Sequence, residues 1–153
     1  PFAVLLADDL CDCDNDGVLA QLIKIHNKYQ CSIVAIEEVP MNKTNQYGII
    51  SGNLIDNSNN TYLVTDMIEK PEEKYAPTNM AIIGRYILTP DIFDTLRNIK
   101  PDKDGEIQIT NALKIQAKQG KVLAYKFKGK RFDCGSVKGY LEATNHFANK
   151  LGI

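Results

Sequence analysis

Apolar residues along the chain come in short blocks whose spacing changes from one segment to the next. FAVLLA (2–7) and SIVAIEEV (32–39) are unbroken runs, the pattern of strands buried on both faces. Between them Val18, Leu19, Leu22, Ile25, His26 and Tyr29 recur at helical intervals, with Asp16 placed as N-cap. Strand, helix, strand in that order predicts a βαβ unit with a right-handed crossover.

The middle of the chain reads differently. QYGIISGNLI (46–55) and TYLVTDMIEKP (61–71) are strand-like and joined by DNSNN, a turn composition, and MAIIGRYIL (80–88) is a third strand. TPDIFDTLRN predicts a helix with Thr89 as cap and Pro90 at its first position. DGEIQITNALKIQAKQG predicts a second helix closed by Gly120. In KVLAYKFKGKRF, Leu123, Tyr125 and Phe127 alternate with Lys126, Lys128 and Lys130, a strand with one lysine face. From Ser136 a terminal helix repeats Tyr140, Thr144, Phe147 and Leu151. No repeat or linker divides residues 1–153, which predicts one domain.

With 153 residues, 44% of them hydrophobic, the chain can bury a core. Lys+Arg at 18 against Asp+Glu at 19 gives no global drive toward nucleic acid or anionic lipid. The sequence has no apolar run of roughly 20 residues and no signal-like start, so a cytoplasmic protein is expected. Cys11, Cys13, Cys31 and Cys134 are too sparse for a disulfide scaffold and are expected as free thiols. DCDNDG at 12–17 imitates a calcium loop but places Ile23 where a bidentate Glu is required, so a solvated capping loop is expected there. His26 and His146 have no nucleophile near them in the pattern.

Three strand ends carry charge: Asp8 after the first, Glu69-Lys70 after TYLVTDMI, and Asp133 after KRF. Ligands of open α/β sheets bind outside the carboxyl ends of strands. Two carboxylates for a divalent cation, a lysine for a phosphate and a glutamate for hydroxyls suit phosphate chemistry.

AVLLADDL, QYGII, VTDMIEKPEEKYAPTNMAIIGRYIL, GEIQITNAL and KGKRFDCGSVKGYLEA, in this order, resemble the bacterial UTP–glucose-1-phosphate uridylyltransferases. The resemblance implies a Rossmann-like nucleotidyltransferase fold with a mixed, mainly parallel sheet flanked by helices. It also implies formation of UDP-glucose and pyrophosphate from UTP and glucose 1-phosphate, with Mg²⁺ as cofactor. Asp8 and Asp133 would bind Mg²⁺, Lys70 the sugar phosphate and Glu69 the sugar hydroxyls. Gly48 would let backbone approach the glucose ring, and Asn79 and Ala81 would lie along the sugar pocket.

The family's glycine-rich G-x-G-T-R loop and the basic segment after it are absent from the sequence. Residues 1–153 are therefore expected to be the C-terminal portion of a catalytic domain, inactive alone. Asp9 stands where an apolar residue is usual, and either aspartate could take the metal role, the resemblance favouring Asp8. If FAVLLA belongs inside a larger sheet, its open edge predicts self-association, hence a homo-oligomer. A related transferase using another nucleoside triphosphate, or a non-catalytic sugar-phosphate-binding fragment, would read similarly.

Overall fold

The structure, a computed structural model, describes residues 1–57, 60–102 and 105–153. Two sheets form. The larger contains β1 (Phe2–Leu5), β3 (Ser32–Glu38), β4 (Gly48–Asp56), β5 (Thr61–Glu69), β6 (Met80–Leu88) and β7 (Val122–Lys126), in the order β1-β6-β3-β7-β5-β4. The smaller pairs β2 (Asp9–Asp12) with β8 (Lys130–Asp133), setting Asp9 opposite Asp133. Helices α1 (Val18–Tyr29), α2 (Ile92–Asn98), α3 (Ile109–Lys118) and α4 (Val137–Leu151) complete the fold.

Alternation within the central strands feeds two cores. Val34 and Ile36 of β3 join Leu113 and Ala117 of α3 and Ile92 of α2, while Ile33 and Ala35 join Val18, Leu22 and Ile25 of α1. Helices thus cover both faces of the sheet, which explains why β3 reads as an unbroken apolar run. Gln21, on the buried side of α1, is satisfied at both ends of its amide. Its Nε2 donates to the carbonyls of Asp16 and Lys128 at 2.8 Å, and its Oε1 accepts from Tyr125 Oη and from the Lys128 N–H.

The sheet is mixed, as expected, but it is not mainly parallel by pairing: among the described residues only β3 and β7 are parallel neighbours. β1 and β3 run the same way but are separated by β6, antiparallel to both, so the expected βαβ unit is split. β1 is an edge strand whose residues alternate half-buried and exposed, rather than buried on both faces. The expected 121–132 strand breaks at Gly129 (φ +152°) and divides between the two sheets, though Leu123, Tyr125 and Phe127 do share one core.

Helix starts also moved. Gly17, not Asp16, is the N-cap of α1, because the Asp16 carboxylate pairs with Lys24. Helix α2 begins at Ile92, because the Thr89 hydroxyl donates to the Asp91 carboxylate (2.5 Å) instead of capping. Helix α3 starts at Ile109 and closes at Gly120 (φ +71°) as expected. Ser58 and Asn59 of the DNSNN turn, and Asp104 of the expected helix start, lie outside the described residues; β4 and β5 on either side of that turn form the expected hairpin.

Helix α4 is capped by Ser136, whose Oγ accepts from the Gly139 N–H at 3.0 Å. It buries Gly139 and Ala143, while Tyr140 and Leu151 of the expected stripe face solvent. Its far end is fastened to β2, where Asp12 pairs with His146 (2.7 Å) and Lys150 (2.6 Å).

A candidate active site at the strand ends

The β2–β8 pair brings the two ends of the chain together, and the Cys134 N–H donates to the Asp8 carbonyl at 2.7 Å. Asp8 and Asp133 face the same residue. A Cβ on Gly135 would lie 3.1 Å from Asp8 Oδ2 and 3.2 Å from Asp133 Oδ1, so hydrogen at that position lets the carboxylates converge. Asp8 is exposed, and no protein partner touches its carboxylate among the described residues.

Its neighbour Asp9 is 5% exposed and differently engaged. Asp9 Oδ2 accepts from the Gly84 N–H at 2.6 Å, and Oδ1 pairs with Arg131 Nε. Of the adjacent aspartates, one is spent on packing and the other is open. Two hard oxygen donors without a third protein ligand suit a cation that completes its shell with water and phosphate oxygens. No group of three or more His, Cys, Asp or Glu side chains gathers to hold a metal among the described residues.

The second half of the site sits where β5 ends beside the start of β4. Glu69 pairs in register with Gly48, and Glu69 Oε2 accepts from the Thr110 hydroxyl at 2.5 Å. A Cβ on Gly48 would meet Thr110 Oγ1 at 3.1 Å and Glu69 Oε2 at 3.2 Å, so glycine lets Thr110 close over the strand and aim the glutamate. Lys70 leaves the ladder at φ +44°, a left-handed backbone that costs a non-glycine residue about 1–2 kcal/mol. Its N–H donates to the Tyr47 carbonyl at 3.0 Å, which holds it there. The Lys70 ammonium is exposed, 4.0 Å from Glu69 Oε1. Asn79 is half-buried, with its carbonyl accepting from the Val39 N–H, and Ala81 is fully buried with Val39 and Ile49 beneath Tyr47.

Tyr47 joins the halves. Its hydroxyl donates to Asp133 Oδ2 at 3.2 Å while its carbonyl holds Lys70. Burial pushes the phenol up, so it remains a donor at neutral pH. Arg131 lies against it, with its guanidinium carbon 5.1 Å from the ring centroid. Burial opposes the charge of Arg131, yet Tyr47 and the carboxylates of Asp9 and Glu37 hold its pKa above the ordinary value. The sequence singled out neither Tyr47, Thr110 nor Arg131, and offered Asp9 only as an alternative metal ligand, whereas its carboxylate is buried against Gly84 and Arg131.

Other sequence features are structural. His26 Nδ1 bonds the Cys31 carbonyl at 2.7 Å, and the four cysteines are free. A cavity of about 470 Å³ lies elsewhere, between the 13–16 loop, α1 and Lys128. The Gln21 amide that lines it already has its partners. No helix is long and apolar enough to cross a membrane among the described residues.

A mixed sheet with helices on both faces, carrying carboxylates and a lysine at strand ends, defines an α/β protein. The sequence matches the Nucleotidyl transferase family over residues 1–150, and the chain belongs to that family, whose chemistry typically uses a divalent metal. It is 60% identical over 146 residues to a UTP–glucose-1-phosphate uridylyltransferase of Pseudomonas aeruginosa, a match covering 95% of this chain and 52% of the relative. An apo UDP-glucose pyrophosphorylase crystal structure superimposes with a TM-score of 0.92 at 54% identity, covering 97% of this chain and 54% of that one. A UDP-glucose pyrophosphorylase complexed with UDP-glucose gives the same TM-score at 53% identity, covering 97% and 56%. The chain spans about half the length of the curated relatives it matches.

Proposed function

We propose that this chain forms the sugar-phosphate and cation half of a UTP–glucose-1-phosphate uridylyltransferase. The observation that carries the reading is the convergence of Asp8 and Asp133 across Gly135, tied through Tyr47 to Glu69 and Lys70. Its relatives by sequence and structure, one of them complexed with UDP-glucose, support the same reading.

In the reaction, a phosphate oxygen of glucose 1-phosphate forms a bond to the α-phosphorus of UTP as the bond from that phosphorus to the bridging oxygen of the β-phosphate breaks. Pyrophosphate leaves, and UDP-glucose remains. Lys70, exposed on a backbone fixed by Tyr47, neutralises the sugar phosphate and lowers the repulsion between the reacting anions. Glu69, with one oxygen held by Thr110, directs the other to sugar hydroxyls. Gly48, Asn79 and the buried Ala81 belong to the sugar side. Asp8 and Asp133 would hold Mg²⁺, which supplies charge neutralisation at the phosphates when bound. Catalysis by the protein is then positioning and electrostatics, with no covalent intermediate.

The sequence carries no glycine-rich nucleotide loop, so residues 1–153 alone should bind without turnover. β1 has an unpaired edge beside exposed Leu5 and Leu6, which supports self-association of this chain, readable by sedimentation. The deciding experiment has two parts. Calorimetry of residues 1–153 with glucose 1-phosphate and Mg²⁺ should give binding. Pyrophosphate release by the full-length protein should require UTP, glucose 1-phosphate and Mg²⁺ together. Failure of the full-length protein with UTP, alongside turnover of another nucleoside triphosphate, would overturn the assignment.

A further inference from the structure

We infer that Arg131 and Tyr47 are positioning residues that couple cation binding at Asp8 and Asp133 to sugar-phosphate binding at Glu69 and Lys70. The inference rests on the reading of the site given above.

The Arg131 side chain is 8% exposed among three carboxylates. Two of them fix its plane: Nε pairs with Asp9 Oδ1, and Nη1 donates to Glu37 Oε1 at 2.7 Å. Asp9 is itself anchored to the Gly84 N–H of β6, so the guanidinium is tied to the main sheet. The third carboxylate is treated differently. Asp133 Oδ2 stands 3.7 Å from Nη2, too far for a hydrogen bond, and takes its bond from the neutral Tyr47 hydroxyl instead.

That difference matters chemically. A close pair with Arg131 would spend the charge of Asp133, whereas a phenol orients the carboxylate and leaves it anionic for a cation. Tyr47 holds Oδ2, while Oδ1, which accepts from the Gly135 N–H at 3.2 Å, lies beside Gly135 together with Asp8 Oδ2. The same Tyr47 sits against the Arg131 guanidinium, holds the Lys70 N–H through its carbonyl, and precedes Gly48, the partner of Glu69. A cation drawing on Asp133 therefore acts on the residue that sets the sugar side, and by linkage the sugar phosphate acts equally on the cation. A purely structural ion pair would need only Asp9 and Glu37.

The test uses the full-length protein, with Mg²⁺ affinity measured by calorimetry in the absence and presence of glucose 1-phosphate. The wild type should bind Mg²⁺ more tightly when the sugar phosphate is present. Tyr47→Phe keeps the ring over Arg131 and removes only the hydroxyl. It should remain folded, with its denaturant midpoint lowered by no more than the bonds the hydroxyl makes to Asp133 and to Arg131 Nη1, while the coupling ratio drops by about fivefold or to unity, the weight of one hydrogen bond. Arg131→Lys, which keeps the charge but loses the fork and the stacked plane, should lower the ratio as well. A folded Tyr47→Phe with the wild-type ratio would overturn the inference, as would a wild type that binds both ligands independently. A wild type that binds no Mg²⁺ at all would instead overturn the reading of the site itself.

Discussion

Gly139→Ala is the sharpest test of how α4 holds the site. In most helix interiors this change stabilises by about 1 kcal/mol. Here a Cβ on Gly139 would lie 1.8 Å from the Asp133 carbonyl oxygen and 2.7 Å from its carbonyl carbon. Restoring an ordinary contact requires a movement of roughly 1.5 Å, far beyond what packed interiors absorb without cost. The far end of α4 is pinned by Asp12 to His146 and Lys150 and by Phe132 against Phe147, so the 133–136 turn is the part that yields. That turn carries Asp133 and the Ser136 cap. Overpacking at about 1–3 kcal/mol and a weakened cap at about 1 kcal/mol exceed the propensity gain, for a net loss of about 1–3 kcal/mol. For a chain of this size the melting point should fall by about 2–12 °C. Displacement of Asp133 should also lower Mg²⁺ affinity at least tenfold by calorimetry, since misplacements of about 1 Å cost on the order of 10² in related settings. An alanine variant as stable as wild type, with unchanged Mg²⁺ affinity, would refute the reasoning.

Adjacent aspartates should separate cleanly. Asp8→Asn should lower Mg²⁺ affinity without moving the melting point, whereas Asp9→Asn should cost about 1.5–3 kcal/mol in urea denaturation by leaving the buried Arg131 with Glu37 as its one close carboxylate. Lys70→Ala in the full-length enzyme should reduce turnover by on the order of 10²-fold, and retention of more than about a tenth would contradict its role. Hydrogen bonds from Lys150 and His146 hold Asp12 below its ordinary value of 3.8. A depressed carboxylate stabilises the fold above that value and loses its contribution as pH falls through the lower, folded one. Below about pH 4 the wild type should therefore lose stability more steeply than Asp12→Asn in pH-dependent urea melts. Burial pushes the Cys11 thiol up to about 11, so at pH 8 a maleimide should modify it far more slowly than a free cysteine peptide.

The elements that local spacing controls were legible: the paired strands β4 and β5 around the DNSNN turn, the apolar face of α1, and the Gly120 stop. Charge at strand ends singled out Asp8, Glu69, Lys70 and Asp133 because ligands of open α/β sheets bind outside the carboxyl ends of strands, an argument that rests on the four together. What escaped depends on distant partners. β6 enters between β1 and β3 through pairings that no local pattern encodes. The buried face of α4 is built on Gly139 and Ala143, whose small size is invisible to hydrophobic periodicity but permits close approach. Arg131 and Tyr47 look like ordinary residues of a lysine-rich strand and a turn. A buried guanidinium becomes recognisable only when Asp9 and Glu37 arrive from elsewhere in the chain.

The small β2–β8 ladder has a consequence for the order in which the molecule assembles. Its Arg131–Asp9 contact joins residues 122 apart in sequence, a closure that costs about 4 kcal/mol of chain entropy. The hairpin carrying Glu69 and Lys70 closes within a few residues and can form while the chain is still emerging from the ribosome. The corner that brings Asp8 to Asp133 cannot form until the chain as far as β8 has been made. A nascent chain would therefore close the β4–β5 hairpin well before the β2–β8 pair.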